Sequence, residues 1–189
     1  MSVTNDMINV GIIGATGYTG LELVKIILKH PKFNLNYIAN SEGQTTINKL
    51  HPSLSGVCEL DVKKADVDEC SKNCSLVFLA LPHKTAMAYV KPLMACGIKV
   101  VDLSADYRLP LDIYEEFYTP HTDAENLKHV VYGLPEMFKE QLKSATLVAN
   151  PGCYPTASLL ALLPFVDYIQ EGTPIFIDAK SGVSGAGKK

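Results

Sequence analysis

Short apolar runs alternate with segments of helical spacing along the chain. Runs bounded by glycine, proline or polar residues predict strands at residues 9–13, 34–39, 59–62, 74–81, 98–103, 146–150 and 174–179. Segments between them predict helices at residues 21–30, 84–96, 112–117, 135–142 and 157–166, with a further helix and loop in the polar residues 44–57. Strands that alternate with helices build parallel sheets covered on both faces, so the pattern predicts an α/β fold with a Rossmann-like, doubly wound parallel sheet.

Composition limits the classes of protein to which the chain can belong. Its 189 residues carry a net charge of −3 with mixed signs, which argues against a basic face for nucleic acid. No stretch approaches the ~20 apolar residues of a membrane span, and residues 1–9 lack the features of a secretion signal. The five cysteines are odd in number, which predicts free thiols in a reducing, cytoplasmic compartment. Cys70 and Cys74 have no second pair to complete a zinc site, so no metal site is predicted.

A glycine-rich segment lies between the first predicted strand and the first predicted helix. Glycines allow a tight turn and let a diphosphate approach backbone N–H groups at the start of a helix. Their spacing, Gly14, Gly17 and Gly20, departs from the usual G-x-G-x-x-G, but the strand–turn–helix context favours dinucleotide binding. The alternative is a loop that only packs the helix against the strand. We predict that the cofactor contacts in this segment are Gly14, Thr16, Gly17, Tyr18, Thr19 and Gly20.

The end of the second strand bears on the choice between NAD and NADP. An acid at this point would bind the ribose 2′-hydroxyl of NAD. Here the strand runs out at Ser41, a small hydroxyl residue that leaves room for a 2′-phosphate, while Glu42 follows one residue later. We therefore expect a preference for NADP (NADPH). Glu42 argues in the other direction, because an acid here suits NAD.

Cys153 lies in a proline- and glycine-rich turn, residues 150–156, directly before a predicted helix. The unpaired N–H groups and partial positive charge of a helix N-terminus favour a thiolate over a thiol. Because the thiolate is the nucleophile, Cys153 is the first candidate for covalent chemistry. The alternative is a structural cysteine beside a turn, since free cysteine often behaves as a small hydrophobic residue.

Other candidates follow the ends of later strands, where a parallel sheet exposes its carboxyl edge. Pro82 and His83 end strand 74–81, and His83 either touches cofactor or substrate or packs against the next helix. Arg108 follows strand 98–103 and is either an anion ligand or a surface arginine. Residues 181–187 are small and glycine-rich, which suits either close approach to a ring or phosphoryl group or a flexible tail.

Residues 14–20, 102–108, 150–156 and 181–187 together resemble the N-acetyl-gamma-glutamyl-phosphate reductase family of arginine biosynthesis. The chain is similar at greater distance to aspartate-semialdehyde dehydrogenase. The resemblance implies an enzyme that reduces an acyl phosphate with NADPH through a thioester on Cys153. It also implies cofactor contacts at Pro82, Ser181, Gly182, Ser184 and Gly185, and substrate contacts at Ser104, Arg108 and Asn150.

The resemblance further implies that the chain is an N-terminal fragment. We expect a dinucleotide-binding domain at residues 1–148 and the incomplete start of an α+β catalytic domain at residues 149–189. The family's acid–base histidine would follow the last residue, because none of the chain's histidines falls in the matching motif: His30, His51, His83, His121 and His129. We expect a fragment without turnover that exposes apolar surface, and a homo-oligomer at full length.

Two alternatives remain open at the level of sequence. One is the homologous reductase of lysine biosynthesis, which takes aminoadipyl phosphate on a carrier protein and should need a basic docking surface. The net charge of −3 shows no such surface. The other is a nucleotide-binding module without catalysis, which would have no use for an activated thiol at Cys153.

Overall fold

The computed structural model describes residues 7–187 and contains one eight-stranded sheet in that range. Its order is β3-β4-β2-β1-β5-β6-β8-β7, and every neighbouring pair is parallel except β3 and β4. The strands are β1 (Ile8–Ile13), β2 (Phe33–Asn40), β3 (Thr45–Thr46), β4 (Asp61–Lys64), β5 (Leu76–Leu79), β6 (Lys99–Asp102), β7 (Val131–Tyr132) and β8 (Leu147–Ala149). The α/β, Rossmann-like fold class is thereby confirmed.

The helices connect these strands. They are α1 (Tyr18–Leu28), α2 (Ile47–Leu50), α3 (Val67–Asn73), α4 (Met87–Ala95), α5 (Leu111–Phe117), α6 (Pro135–Ser144) and α7 (Cys153–Leu162). Short 3-10 helices lie at Pro52–Leu54, Asn126–Lys128, Leu163–Tyr168 and Val183–Ala186. Among residues 7–187, no helix has the length and apolar character required to cross a membrane.

Two hydrophobic clusters lie on opposite faces of the sheet. Successive strand residues alternate between them, as Ile12 and Ile13 do on β1, because side chains of a strand point alternately to its two faces. The first cluster packs beneath α3, α4 and α5, and the second packs beneath α1 and α2. Helices on both faces of a parallel sheet explain why β1 is buried along its last four residues.

Strand order reverses direction between β1 and β5. The chain first builds outward through β2 and β4, then returns to the other side of β1 and builds outward through β5, β6 and β8. Connections that leave β1 and β5 in opposite directions open a crevice at the carboxyl ends of these strands, where ligands of such sheets bind. The glycine-rich segment and the residues after β5 and β6 all lie at this edge.

The predicted strand at residues 174–179 is wrong. Residues 173–180 have no regular secondary structure, and Ile175, Phe176 and Ile177 are exposed. A strand requires backbone pairing with a neighbour, and no segment among the described residues supplies one. The sequence patterns also missed β3, α3 and β7. Strands of two residues are too short for a periodic signal, and α3 is largely polar.

Gly14 ends β1 in a conformation that an L side chain rarely adopts. Its φ is +99°, and a Cβ built there would lie 2.3 Å from the carbonyl oxygen of Ala80. The segment after β1 therefore touches the backbone after β5 directly. This close approach joins the two halves of the sheet at the point where strand order reverses.

A buried polar network follows β6. Asp102 is fully buried and accepts hydrogen bonds from the backbone N–H of Ser104 (3.0 Å) and from its hydroxyl (2.7 Å). The Ser104 hydroxyl in turn accepts the N–H of Asp106 at 3.1 Å. Burial raises the pKa of Asp102 from 3.8 to about 6, because removal of the carboxylate from water disfavours its charge.

We expect Gly14→Ala to lower the free energy of unfolding by about 3 kcal/mol or more, since a positive φ and an overlap with backbone both oppose the new methyl group. Gly56→Ala is the matched control. Gly56 also has a positive φ (+73°), but open space surrounds its Cβ position. Gly56→Ala should lower the free energy of unfolding by only about 1–2 kcal/mol, from backbone strain alone. Urea unfolding of both variants measures the difference, and equal losses would contradict the steric contact with Ala80.

Asp102 should make stability depend on pH in an unusual direction. A folded-state pKa of about 6 lies above the unfolded value of 3.8, so the folded chain holds this proton more tightly. Its contribution is therefore full below about pH 4 and falls as pH rises to about 6. The free energy of unfolding of Asp102→Asn, relative to the unsubstituted chain, should rise by up to about 3 kcal/mol between pH 4 and pH 7.

Asp112→Asn, at an exposed position on α5, is the control for this experiment. The difference between Asp112→Asn and the unsubstituted chain should change far less over the same range, because this side chain is exposed rather than buried. A pH-independent difference for Asp102→Asn would show that the buried carboxyl does not titrate as stated.

Candidate active site

A cleft of about 750 Å³ opens at the carboxyl ends of β1, β2 and β5. The glycine-rich segment forms one wall through Gly14, Thr16 and Gly17. The end of β2 forms the floor, and the β5–α4 turn and α4 form the opposite wall. The lining residues outside the glycine-rich segment are Ile13, Asn40, Ser41, Ala65, Ala80, Leu81, Pro82, Thr85 and Tyr89. The structure thus brings together four of the predicted cofactor contacts from the first wall and the floor, and Pro82 from the opposite wall.

The three glycines of the segment have different roles. Gly14 makes the close approach to Ala80 described above. Gly20 lies inside α1, where a Cβ would lie 2.6 Å from the Cα of Ala15, so it lets the helix pack onto the segment. Gly17 precedes α1, and its Cβ position has no neighbour within 4 Å. Glycines of a dinucleotide-binding turn allow the tight turn, leave room for the diphosphate and let the helix pack closely. The three glycines here suit the same functions, although their spacing differs from G-x-G-x-x-G.

The N-terminus of α1 faces this cleft without a capping side chain. Gly17 is the N-cap residue and makes no side-chain hydrogen bond, so the first N–H groups of the helix have no such partner. Tyr18 and Thr19 form the first turn and are exposed. Uncapped N–H groups and the positive end of the helix dipole together suit a diphosphate.

Two residues that the sequence patterns missed hold the segment in place. His51 is buried, and its Nε2 lies 2.7 Å from the carbonyl oxygen of Ala15, to which it donates as the Nε2–H tautomer. Asn40 donates from Nδ2 to the Thr16 hydroxyl (3.3 Å), and its Oδ1 accepts the N–H groups of Glu42 and Gly43. Both come from distant parts of the sequence, so only the fold could identify them.

His83 is exposed and contacts residues of two other segments. Its Nδ1 accepts the N–H of Ala105 at 2.9 Å, and its ring meets Tyr118 edge to face with centroids 5.7 Å apart. The side chain is nevertheless exposed, so its contact with cofactor or substrate stays a prediction. His83 does not line the cleft, whereas its neighbour Pro82 does.

Cys153 follows β8 and opens α7. The turn before it is short and rigid: Pro151 is buried, and the carbonyl of Gly152 accepts both the N–H (3.0 Å) and the hydroxyl (2.8 Å) of Thr156. Cys153 itself is exposed. The structure thus places Cys153 at a helix N-terminus, as the sequence predicted, and shows in addition that its side chain is exposed.

Arg108 ties this turn to the end of β6. Its Nε donates to the carbonyl of Asn150 at 2.8 Å, and its Nη2 donates to the carbonyl of Leu103 at 2.6 Å. Its Nη1 lies 3.1 Å from the position that a Cβ on Gly152 would occupy. The guanidinium is therefore fixed beside the Cys153 turn, where it adds positive charge to the helix N-terminus.

The other predicted substrate contacts differ in exposure. Asn150 is half-buried and its N–H donates to the carbonyl of Asp102 at 2.8 Å, which joins β8 to β6. Ser104 is fully buried, with its hydroxyl bonded to Asp102 and to the Asp106 N–H. In this structure Ser104 shapes the turn that carries Arg108, and its contact with substrate stays a prediction.

The second glycine-rich segment lies apart from the cleft. Ser181, Gly182, Ser184 and Gly185 are exposed, at or beside the 3-10 helix Val183–Ala186, and none of them lines the cleft. Their predicted contact with the cofactor therefore stays untested. No cluster of three or more histidine, cysteine or acidic side chains suited to a metal occurs within residues 7–187.

Comparison with known proteins agrees with this geometry. The family model for the NAD-binding domain of semialdehyde dehydrogenases matches residues 9–145, and the model for the semialdehyde dehydrogenase dimerisation domain matches residues 153–189. The chain is 67% identical over 182 residues to the N-acetyl-gamma-glutamyl-phosphate reductase of Sulfurimonas denitrificans, covering 96% of the chain and 54% of the relative. It is 60% identical over 183 residues to that of Sulfurovum sp. (97% and 55%).

Solved structures share the fold at low identity. Aspartate-semialdehyde dehydrogenase with NADP from Candida albicans superposes with a TM-score of 0.66 at 17% identity, over 86% of this chain and 47% of that chain. The chain spans about half the length of the curated relatives it matches. With a dinucleotide-binding turn, a cleft at the strand reversal and matching family models, the chain belongs to the semialdehyde dehydrogenase family and contains its NAD-binding domain.

Proposed function

We propose that the protein containing this chain is an NADPH-dependent N-acetyl-gamma-glutamyl-phosphate reductase of arginine biosynthesis. The observation that carries the proposal is the exposed Cys153 at a helix N-terminus, with the Arg108 guanidinium fixed beside its turn. The dinucleotide cleft opens at the same carboxyl edge of the sheet. Curated relatives of the same name, at up to 67% identity, support this substrate class over the lysine-pathway alternative.

The chain's residues suit the first half of the reaction. The sulfur of Cys153 attacks the acyl carbon and a carbon–sulfur bond forms. The bond between the acyl carbon and the bridging oxygen breaks, and phosphate leaves with that oxygen. Arg108 stabilises the negative charge of the leaving phosphate, which its planar guanidinium suits. NADPH, when bound, would supply the hydride that reduces the thioester. With one proton from solvent this gives a hemithioacetal on Cys153, and cleavage of its carbon–sulfur bond returns the Cys153 thiol and releases N-acetylglutamate semialdehyde.

The end of β2 supports NADP rather than NAD. Ser41 lines the cleft and is exposed, so a 2′-phosphate could approach it. Asn40 pairs with Lys64 across β2 and β4, and paired residues of parallel strands share a face of the sheet. The Asn40 side chain bonds to Thr16, so it lies on the face of the sheet that carries the glycine-rich segment. Lys64 therefore lies on that face too, beside the residue that precedes Ser41.

The two lysines of β4 are not equivalent. Lys63 pairs with Glu69 and lies 5.9 Å from the Tyr37 ring centroid, on the opposite face. No carboxylate among residues 7–187 pairs with Lys64. Both lysines border a groove of about 490 Å³ that Lys49 and Asp61 also line, so the ion pair of Lys63 is what distinguishes them. We infer that Lys64 supplies positive charge for the 2′-phosphate and outweighs Glu42.

The proposal extends to organisation and location. We divide the chain into a dinucleotide-binding domain at residues 1–148 and the start of a catalytic domain at residues 149–189. The match to a dimerisation domain over residues 153–189 supports a homo-oligomer. Five free cysteines support a reducing cytoplasm.

We expect iodoacetamide at neutral pH to alkylate Cys153 about ten times faster than Cys96, because Cys153 lies exposed at the α7 N-terminus beside the turn that holds Arg108, an accessible and electropositive setting in which reactive cysteines occur. Cys96 is the matched control, since these two are the exposed cysteines while Cys58, Cys70 and Cys74 are buried. Peptide mass spectrometry after timed quenching measures the rates.

Protein that has not been treated with iodoacetamide tests the first half-reaction, with acetyl phosphate as the probe. Incubation without cofactor should place one acetyl group on Cys153 and release an equal amount of phosphate. Cys153→Ser should show neither product. Equal alkylation of Cys96 and Cys153 with no acetyl adduct would contradict the proposed nucleophile and favour a module that only binds nucleotide.

We expect the chain to bind NADPH about ten times more tightly than NADH, since a 2′-phosphate gains charge-assisted bonds at Ser41 and Lys64. Fluorescence titration measures both dissociation constants. Lys64→Gln should weaken NADPH about tenfold and leave NADH unchanged, because it removes one charge-assisted contact.

Lys63→Gln is the control for Lys64→Gln, since it removes a neighbouring charge that Glu69 already pairs. It should leave the NADPH to NADH ratio unchanged. A ratio near one in the unsubstituted chain would exclude NADP selectivity, and no binding of either nucleotide would exclude the cofactor assignment.

A further inference from the structure

Asp106 is a fully buried acid outside the residues assigned above to cofactor or substrate. Its Oδ1 accepts the N–H of Lys84 at 2.7 Å and the Tyr114 hydroxyl at 2.9 Å, and its Oδ2 accepts the N–H of Ala86 at 3.0 Å. All three donors are neutral groups from other parts of the fold. A buried acid with these partners fixes the segments to which the donors belong. If one of these hydrogen bonds were lost, no water could reach the site to replace it.

The backbone donors belong to the turn between β5 and α4, residues 80–86. Lys84 has a φ of +73°, in the left-handed region that non-glycine residues avoid. The two hydrogen bonds to Asp106 hold the turn at this strained residue and two residues after it. Pro82 and Thr85 of the same turn line the cleft, so Asp106 fixes one wall of the proposed cofactor site.

The main chain of Asp106 belongs to the other half of the site. Its N–H donates to the Ser104 hydroxyl at 3.1 Å, and its carbonyl oxygen lies 2.8 Å from Nε2 of His121. Arg108 follows two residues later and reaches the carbonyls of Leu103 and Asn150. One residue therefore joins the cleft wall to the turn that carries the proposed phosphate-binding arginine.

We propose that Asp106 is a positioning residue that holds the β5–α4 wall of the cofactor cleft in register with Arg108 and the Cys153 turn. The inference rests on the proposed function, because it assumes that the cleft binds NADPH. Asp106 acts through residues 82–86 and through Arg108, and it touches neither nucleotide nor substrate. Its strained partner, Lys84, is held in place so that the cleft exists before the cofactor arrives.

Asp106→Asn tests this inference, because an amide NH₂ replaces one oxygen and faces an N–H donor. We expect the dissociation constant of NADPH for the 189-residue chain to rise about tenfold, since a wall displaced by a fraction of an ångström loses its contacts. Asp123→Ala is the control, because both hydrogen bonds of Asp123 are to Oδ2 and an asparagine would keep them, whereas alanine loses both. Asp123 is also a buried acid, and it accepts from the Tyr107 hydroxyl (2.8 Å) and from Asn126 (2.7 Å), with no bond to residues 82–86.

Both variants lose buried hydrogen bonds, so a purely structural role predicts the same change in NADPH affinity for both. Weakened binding in Asp106→Asn alone, at a temperature where both remain folded, supports the positioning role. Equal affinities overturn it and leave the proposed function intact. Failure of the unsubstituted chain to bind NADPH removes the cofactor assignment and this inference together.

A second measurement needs no variant and decides the case even where Asp106→Asn does not fold. Hydrogen exchange of the unsubstituted chain without cofactor should show slow exchange at the Lys84 and Ala86 amides. Exchange as fast as in the exposed residues 173–180 would mean that Asp106 does not hold the turn, which overturns the inference.

Discussion

The central pairing of β1 with β5 is the constraint on which the rest of the structure depends. β1 lies between β2 and β5, parallel to both, and Gly14 carries the chain onto the backbone of Ala80 without room for a side chain. Strand order reverses at this contact, so the connections leave it in opposite directions and a cleft opens between them. The glycine therefore serves the fold and the proposed cofactor site at once.

A second junction, between β6 and β8, organises the proposed chemistry. The guanidinium of Arg108 reaches the carbonyls that follow both strands, and the N–H of Asn150 bonds to Asp102 at the end of β6. These bonds place the Cys153 turn two strands from the cleft at the same edge of the sheet. Backbone acceptors hold the arginine, so its remaining N–H groups keep a fixed direction beside the turn.

Buried acids connect the two junctions. Asp102 and Asp106 lie in one turn, bridged by the Ser104 hydroxyl, and neither forms an ion pair among the described residues. Neutral N–H and O–H donors satisfy them instead. Such a network is costly to disturb, since each lost donor leaves a polar atom without water. It gives the loops of the site a rigidity that hydrophobic packing alone would not provide.

The sequence by itself determined the sheet class, the first strand–turn–helix unit and the placement of Cys153 at a helix start, because these follow from local spacing, glycine and proline. It failed for residues 174–179, whose apolar run lacks a pairing partner in the described chain. Only the tertiary structure decided that Ser104 is buried, that His83 contacts Ala105 and Tyr118, and that His51 and Asp106 bond to the backbone of the segments on either side of the cleft. Those roles depend on contacts between segments distant in sequence, and no local pattern encodes them.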